Sequence, residues 1–265
     1  MPSISRKLSP FLSQLLTSDK LLSISRRDFA LKTKLLPQLD YITFYHRLDD
    51  PYSLLLLQVL PDLVKHYQIK LKIKLLLDLV DDLNPEPEKF KAYAIKDAHR
   101  LAERFNLKLL KQAITPSSKD KLLASQFLLT AKNNNPGSVL KVTQQLWNDT
   151  ANQIPFEINS TVISDEEAKK IIDASLKQLL ANGHYMSAML HYGKEWYWGL
   201  DRLGYLIPRL ESRCSPNNSS PLNYCQYPEI QQHNYLNENT TTDTIALQSI
   251  DFYFSFRSPY SYLAA

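Results

Sequence analysis

Apolar positions along the first third of the chain change period twice. Residues 40–45, Asp-Tyr-Ile-Thr-Phe-Tyr, are β-branched and aromatic and predict a strand, with a polar turn over His46-Arg47-Leu48-Asp49-Asp50. After Pro51, Leu55, Val59, Leu63 and His66 recur at helical spacing as far as Tyr67, and an acid before a proline is a helix start. Ile69 to Leu77 alternates Lys with apolar residues and then turns fully apolar, which predicts a second strand. The order is β-α-β, and such a crossover makes the two strands parallel.

Between Pro85 and Gly183 the pattern is helical. Phe90, Tyr93, Ala94, Asp97, Ala98 and Leu101 form one stripe, Lys121 to Lys132 a second, and Val139 to Trp147 a third. Ser164 opens another helix, with Glu167 placed to close a capping box. Met186 to Tyr192, a turn at Gly193-Lys194, and Glu195 to Trp198 then predict a β-hairpin. A last helix is expected to begin at Gly199-Leu200-Asp201-Arg202 and to run on through Leu203, Leu206, Ile207 and Leu210. Residues 212–249, rich in Asn, Ser, Pro and Thr, read as a linker. The expected fold class is therefore α/β over residues 36–211: β-α-β, a helical insert, then β-β-α.

Two segments echo one another about 210 residues apart. Ile250-Asp251-Phe252-Tyr253-Phe254-Ser255-Phe256 repeats the style of residues 39–45, and Ser258-Pro259-Tyr260-Ser261 answers Asp50-Pro51-Tyr52-Ser53. Both read as strand, loop and helix start, so residues 250–265 are expected to open a second copy. A strand with one helical turn buries no core of its own. The expectation is that the natural chain continues past Ala265.

Composition sets limits on the chemistry. The 265 residues are 44% hydrophobic and 11% aromatic, which excludes disorder over most of the length. The longest apolar stretch, Leu54 to Leu60, is too short to cross a bilayer, and no membrane partner is expected. A net charge of +4 without a long basic run gives no argument for nucleic acid. Residues 1–35 are basic and Ser-rich, a composition shared by transit peptides and by a plain amphipathic helix, with Leu8, Phe11, Leu12, Leu15 and Leu16 at helical spacing. The two cysteines, Cys214 and Cys225, form neither a Cys-x-x-Cys pair nor a zinc spacing, and a reducing cytoplasm is the expected compartment. His184 and His191 flank the third strand without a third ligand nearby, so no metal site is expected. His46 is a candidate for acid-base work or a solvated loop histidine. The run Trp196-Tyr197-Trp198 suits ligand stacking and core packing equally.

Asp251 to Ala264, DFYFSFRSPYSYLA, resembles the opening of the DsbA-like thioredoxin-fold superfamily in its cysteine-free branch, the hydroxychromene-carboxylate isomerases and kappa-class glutathione transferases. Residues 40–211 resemble the same family, with Asp40 to Ser53 at the front and Glu195-Trp196-Tyr197-Trp198-Gly199-Leu200-Asp201-Arg202-Leu203 at the back, the latter similar to the family's Phe-Trp-Gly-x-Asp-Arg-Leu segment. The resemblance implies a thioredoxin-like fold, glutathione as cofactor, and a small thiol or aromatic substrate. It implies that Ser258 holds and activates the glutathione thiol as the catalytic residue, a role that a hydroxyl beside unpaired helix N-terminal amides suits; read from its position alone, Ser258 is an ordinary helix cap. It also implies that Asp201, with Arg202 beside it, binds the γ-glutamyl end, while at the start of a helix Asp201 equally suits a cap. Two departures mark the first copy. Asp50 stands in the serine position, where a carboxylate repels a thiolate, leaving Asp50 as a helix cap or ligand contact and Ser53 as a substitute hydroxyl. Ala188 falls where the family has a cis-proline. The expected function is that of a DsbA-like, glutathione-dependent isomerase or transferase without the thiol-disulfide site; the alternative is a non-catalytic thioredoxin-fold binding or scaffold module. A disulfide exchange through Cys214 and Cys225 is a third reading.

Overall fold

A computed structural model describes residues 18–80, 86–109, 116–130, 135–148 and 163–212. Ser258, Cys214, Cys225, the stretch Leu8 to Leu16, residues 213–249 of the linker and the second copy over residues 250–265 lie outside the described residues. Those described form a mixed α/β fold. Helix α1 (Asp19–Leu35) precedes β1 (Tyr41–Arg47), α2 (Pro51–Tyr67) and β2 (Lys70–Leu76). Four helices follow: α3 (Pro87–Arg104), α4 (Ser118–Leu129), α5 (Pro136–Asn148) and α6 (Asp165–Ala181). The hairpin of β3 (Met189–Tyr192) and β4 (Glu195–Trp198) and the helix α7 (Leu203–Glu211) complete the order.

The four strands make one sheet in the order β2-β1-β3-β4. β1 and β2 are parallel from Tyr41 opposite Lys70 to Arg47 opposite Leu76, as a β-α-β crossover requires. β3 runs antiparallel to both β1 and β4. Side-chain alternation divides the sheet's residues between two faces. Ile42, Phe44, Ile73, Leu75, Leu190, Tyr192 and Tyr197 join the large core with α2 and with Leu203, Leu206 and Leu210 of α7. Tyr45, Leu76 and Met189 lie in a smaller cluster with Leu179 of α6.

Helix α2 is buried almost all round, from Leu54 to Leu57 and again at Val59, Leu60 and Leu63. Only a narrow strip at Asp62 and Lys65 meets solvent, as expected of a helix at the centre of a fold; it packs against α3 and α5. Each fully buried leucine contributes about 2 kcal/mol. Asp50 is its N-cap, Pro51 occupies the first turn, and Gln68 ends it in the left-handed conformation at φ 51°. The Ser164 cap forms as read, its Oγ accepting the Glu167 N–H at 3.2 Å.

Three boundaries differ from the sequence reading. β1 runs two residues beyond Tyr45, so His46 and Arg47 are strand and the turn is confined to residues 48–50. β3 starts at Met189, because Ala188 holds φ +56° and cannot extend a strand from Met186. Residues 199–202 form a turn before α7, which opens at Leu203.

Candidate functional site

The carboxyl ends of parallel strands are where α/β folds gather chemistry. Here β1 ends at Arg47, and three residues later Asp50 starts α2. Asp50 is 3% exposed. Its Oδ1 accepts the Tyr52 N–H at 3.0 Å, the N-cap bond, and its Oδ2 accepts the Ser187 hydroxyl at 2.7 Å. One turn further, the Ser53 Oγ accepts the Ala188 N–H at 3.0 Å and the Arg47 N–H at 3.4 Å, with Ser53 fully buried. Asp50 and Ser53, both candidates from the sequence, therefore act together by pinning the connection between α6 and β3 to the start of α2. Ala188, at the position matched to the family's cis-proline, has a trans peptide bond and a backbone N–H that Ser53 accepts. A proline there would offer no N–H to receive.

Electrostatics fit this arrangement. Burial pushes the Asp50 carboxyl up from its ordinary value, while Arg47, the Ser187 hydroxyl, the Tyr52 amide and Ser53 draw it back. The same connection is tightened by His184, whose Nδ1 accepts the N–H groups of Tyr185 and Met186 at 3.0 and 3.2 Å.

The helical insert closes over this end of the sheet. Lys121 of α4 is buried, and its ammonium donates to Asp49 at 2.9 Å, Asp78 at 3.1 Å and the Leu77 carbonyl at 3.3 Å, joining the segments after β1 and β2. Arg47 pairs with the other oxygen of Asp49 at 2.7 Å. From α5, the Trp147 indole N–H donates to the Leu48 carbonyl at 2.8 Å. Thr143 lies against His46 at 2.9 Å from Nε2. The Thr143 hydroxyl is already given to the Val139 carbonyl at 2.8 Å, so the His46 Nε2 carries the proton and Thr143 accepts it. His46 is thus neither an exposed loop histidine nor open for acid-base work: it is 0% exposed, and burial lowers its pKa to about 3. Its Nδ1 has no hydrogen-bond partner. The alternation of β1 puts it inside, and that alternation is visible in the sequence once the strand is extended by two residues.

Asp201 and Arg202 are exposed in the turn before α7. The surrounding protein and the nearby Asp97 push the Asp201 carboxyl up, against Arg202 and Arg104. Asp97 in turn accepts the Tyr52 hydroxyl at 2.9 Å, and the Tyr52 ring meets Trp198 edge to face at 5.1 Å. In the sequence Asp97 is only one member of a helical stripe, and nothing there signals its pairing with the tyrosine of Pro-Tyr-Ser. Tyr197 packs in the core, whereas the Trp196 ring lies against His191 at 4.4 Å and His184 at 5.1 Å.

At the opposite end of the hairpin Glu195 collects Arg26 of α1 and Arg209 of α7, the latter at 2.9 Å, and the Tyr197 hydroxyl at 3.2 Å. Burial raises the Glu195 carboxyl, but the Arg26 hydrogen bond and the charges of Arg209 and Arg26 outweigh it, and the net shift is downward. Among the described residues no helix is long and apolar enough to cross a membrane. No protein-family model matches the chain, and no curated protein matches it.

Proposed function

We propose that the domain at residues 36–211 is a thioredoxin-like module related to the DsbA superfamily that binds or scaffolds without catalysis. The strand order β2-β1-β3-β4, with β3 alone reversed, agrees with that fold. One observation carries the reading: Asp50 and Ser53, at the positions matched to the family's thiol-activating motif, spend their acceptor oxygens on Ser187 and Ala188 of the same domain. As arranged, these residues do not fit a glutathione thiolate. A carboxylate at the helix start opposes its charge, and Ser53 is fully buried.

Calorimetric titration with glutathione tests this. The expected result is no saturable heat at millimolar ligand. Saturable binding that disappears in Asp50→Asn or Ser53→Ala overturns the reading.

A second reading is favoured by the motif Ser258-Pro259-Tyr260-Ser261: glutathione-dependent isomerase or transferase chemistry, with the Ser258 hydroxyl stabilising the thiolate. Its signature is glutathione binding lost in Ser258→Ala and unchanged in Ser53→Ala.

A further inference from the structure

Helix α1 meets its own domain through one side and turns a second apolar side to solvent. Inward, Arg26 reaches Glu195, Phe29 lies edge-on to Tyr192 at 5.2 Å and covers Gly193, and Thr33 is 3% exposed. Outward, Leu21, Ile24, Leu31 and Leu35 are 38, 61, 64 and 79% exposed. With Asp28 between them, these positions step by three, four, three and four residues, the a and d seam of a heptad. In that register Leu21, Asp28 and Leu35 are a positions, and Ile24 and Leu31 are d. The residues docked on the domain, Arg26, Phe29 and Thr33, fall at f, b and f, on the far side of the helix. The g positions are Lys20, Arg27 and Lys34, all exposed, and the e positions are Ser25 and Lys32.

We propose that this face docks an α-helix of another protein, one with an apolar a and d seam and acidic residues at e and g. Charge selects the occupant. Every exposed g position is basic, and the single acid in the seam, Asp28, is bonded to Lys32 at 2.8 Å. A second copy of this chain fits poorly: a parallel pair sets Arg27 against Lys32, and an antiparallel pair sets g lysines and arginines against one another. An anionic lipid surface would press Asp28 against headgroups of its own sign. A helix can instead face Asp28 with a lysine at its own a position, fixing register as central polar residues in such seams do. The seam runs from Leu21 to Leu35, 15 residues and about 21 Å.

The probe is a synthetic three-heptad peptide with Leu at a and d, one Lys at the central a, and Glu at e and g, with a control peptide carrying Lys at e and g. Fluorescence anisotropy against the full chain is expected to give an affinity for the acidic peptide at least about tenfold tighter than for the basic one. Leu31→Ser with Leu35→Ser removes it, and Lys20→Gln with Arg27→Gln and Lys34→Gln weakens it and flattens its salt dependence. Because these side chains are exposed, the thermal melt of each variant is expected to match the parent, which separates lost docking from lost folding. No binding, equal binding of both peptides, or binding indifferent to the leucine pair overturns the proposal. So does a dimer of this chain in sedimentation equilibrium, or cosedimentation with phosphatidylserine vesicles, that the same leucine pair abolishes.

Discussion

Two carboxylates at opposite ends of the sheet, Asp50 buried and Glu195 half-buried, are handled in opposite ways. Asp50 accepts its hydrogen bonds from a backbone amide and a hydroxyl, and burial carries its carboxyl above the ordinary range. Glu195 is gripped by two guanidinium groups, and its carboxyl is held below. A dipolar donor satisfies a lone pair without cancelling the charge, whereas a guanidinium does both. The first site therefore holds its carboxyl against the cost of burial, and the second favours the anion. A helix start that would greet an anionic thiolate is here occupied by an acid of its own.

The largest expected effect falls on the charged site. Glu195→Gln leaves Arg209, whose side chain is 10% exposed, without its countercharge, and is expected to cost about 3 kcal/mol in chemical denaturation. The partly exposed Arg26 contributes little to that loss. If Glu195→Gln melts like the parent, the two carboxylates are not different in kind.

Acid should reveal the buried histidine next. His46 has its pKa lowered to about 3 in the fold, whereas the unfolded chain takes up the proton near pH 6.5. Its contribution is complete above pH 6.5 and is lost as pH falls toward 3, amounting to about 2 kcal/mol by pH 5. Stability measured against pH should show this limb in the parent and lose it in His46→Leu.

Asp50→Asn is expected to change stability by less than about 1 kcal/mol at neutral pH, since an amide keeps the cap. Its pH dependence carries the sharper information. A carboxyl whose folded pKa is raised gives its full stabilisation below the unfolded value and loses it as pH rises. The variant should therefore gain on the parent as pH rises above about 4; a constant difference would mean Asp50 is held as an anion like Glu195. The smallest effect belongs to Ala188→Gly, where relief of the left-handed strain at φ +56° is expected to stabilise by about 0.5 kcal/mol. A loss there would show that the connection is not strained against its two latches.

What the sequence disclosed followed from local physics. The β-α-β unit, the Asp50 cap, the Ser164 cap and the hairpin turn at Gly193-Lys194 each depend on neighbours a few residues apart, and each formed. The polar run His46-Arg47 reads as a turn because a histidine and an arginine weigh as hydrophilic; only Thr143, Asp49 and the insert around them make strand positions of those two residues tolerable inside. Asp50 and Ser53 were visible as candidates, yet their partners Ser187 and Ala188 are 137 and 135 residues away. The pairing of Asp97 with Tyr52, and the bridge from Lys121 to Asp49 and Asp78, are likewise contacts that no periodicity encodes.

The grip of Arg26 on Glu195 closes a loop of 169 residues. Such a closure is costly in chain entropy and cannot be made before the hairpin exists to receive it. Helix α1 is thus expected to join the domain last in folding and to leave it first, a separate unit of opening whose departure uncovers the hairpin tip while the sheet stays intact. In hydrogen exchange its amides would record that departure as protection well short of the global value.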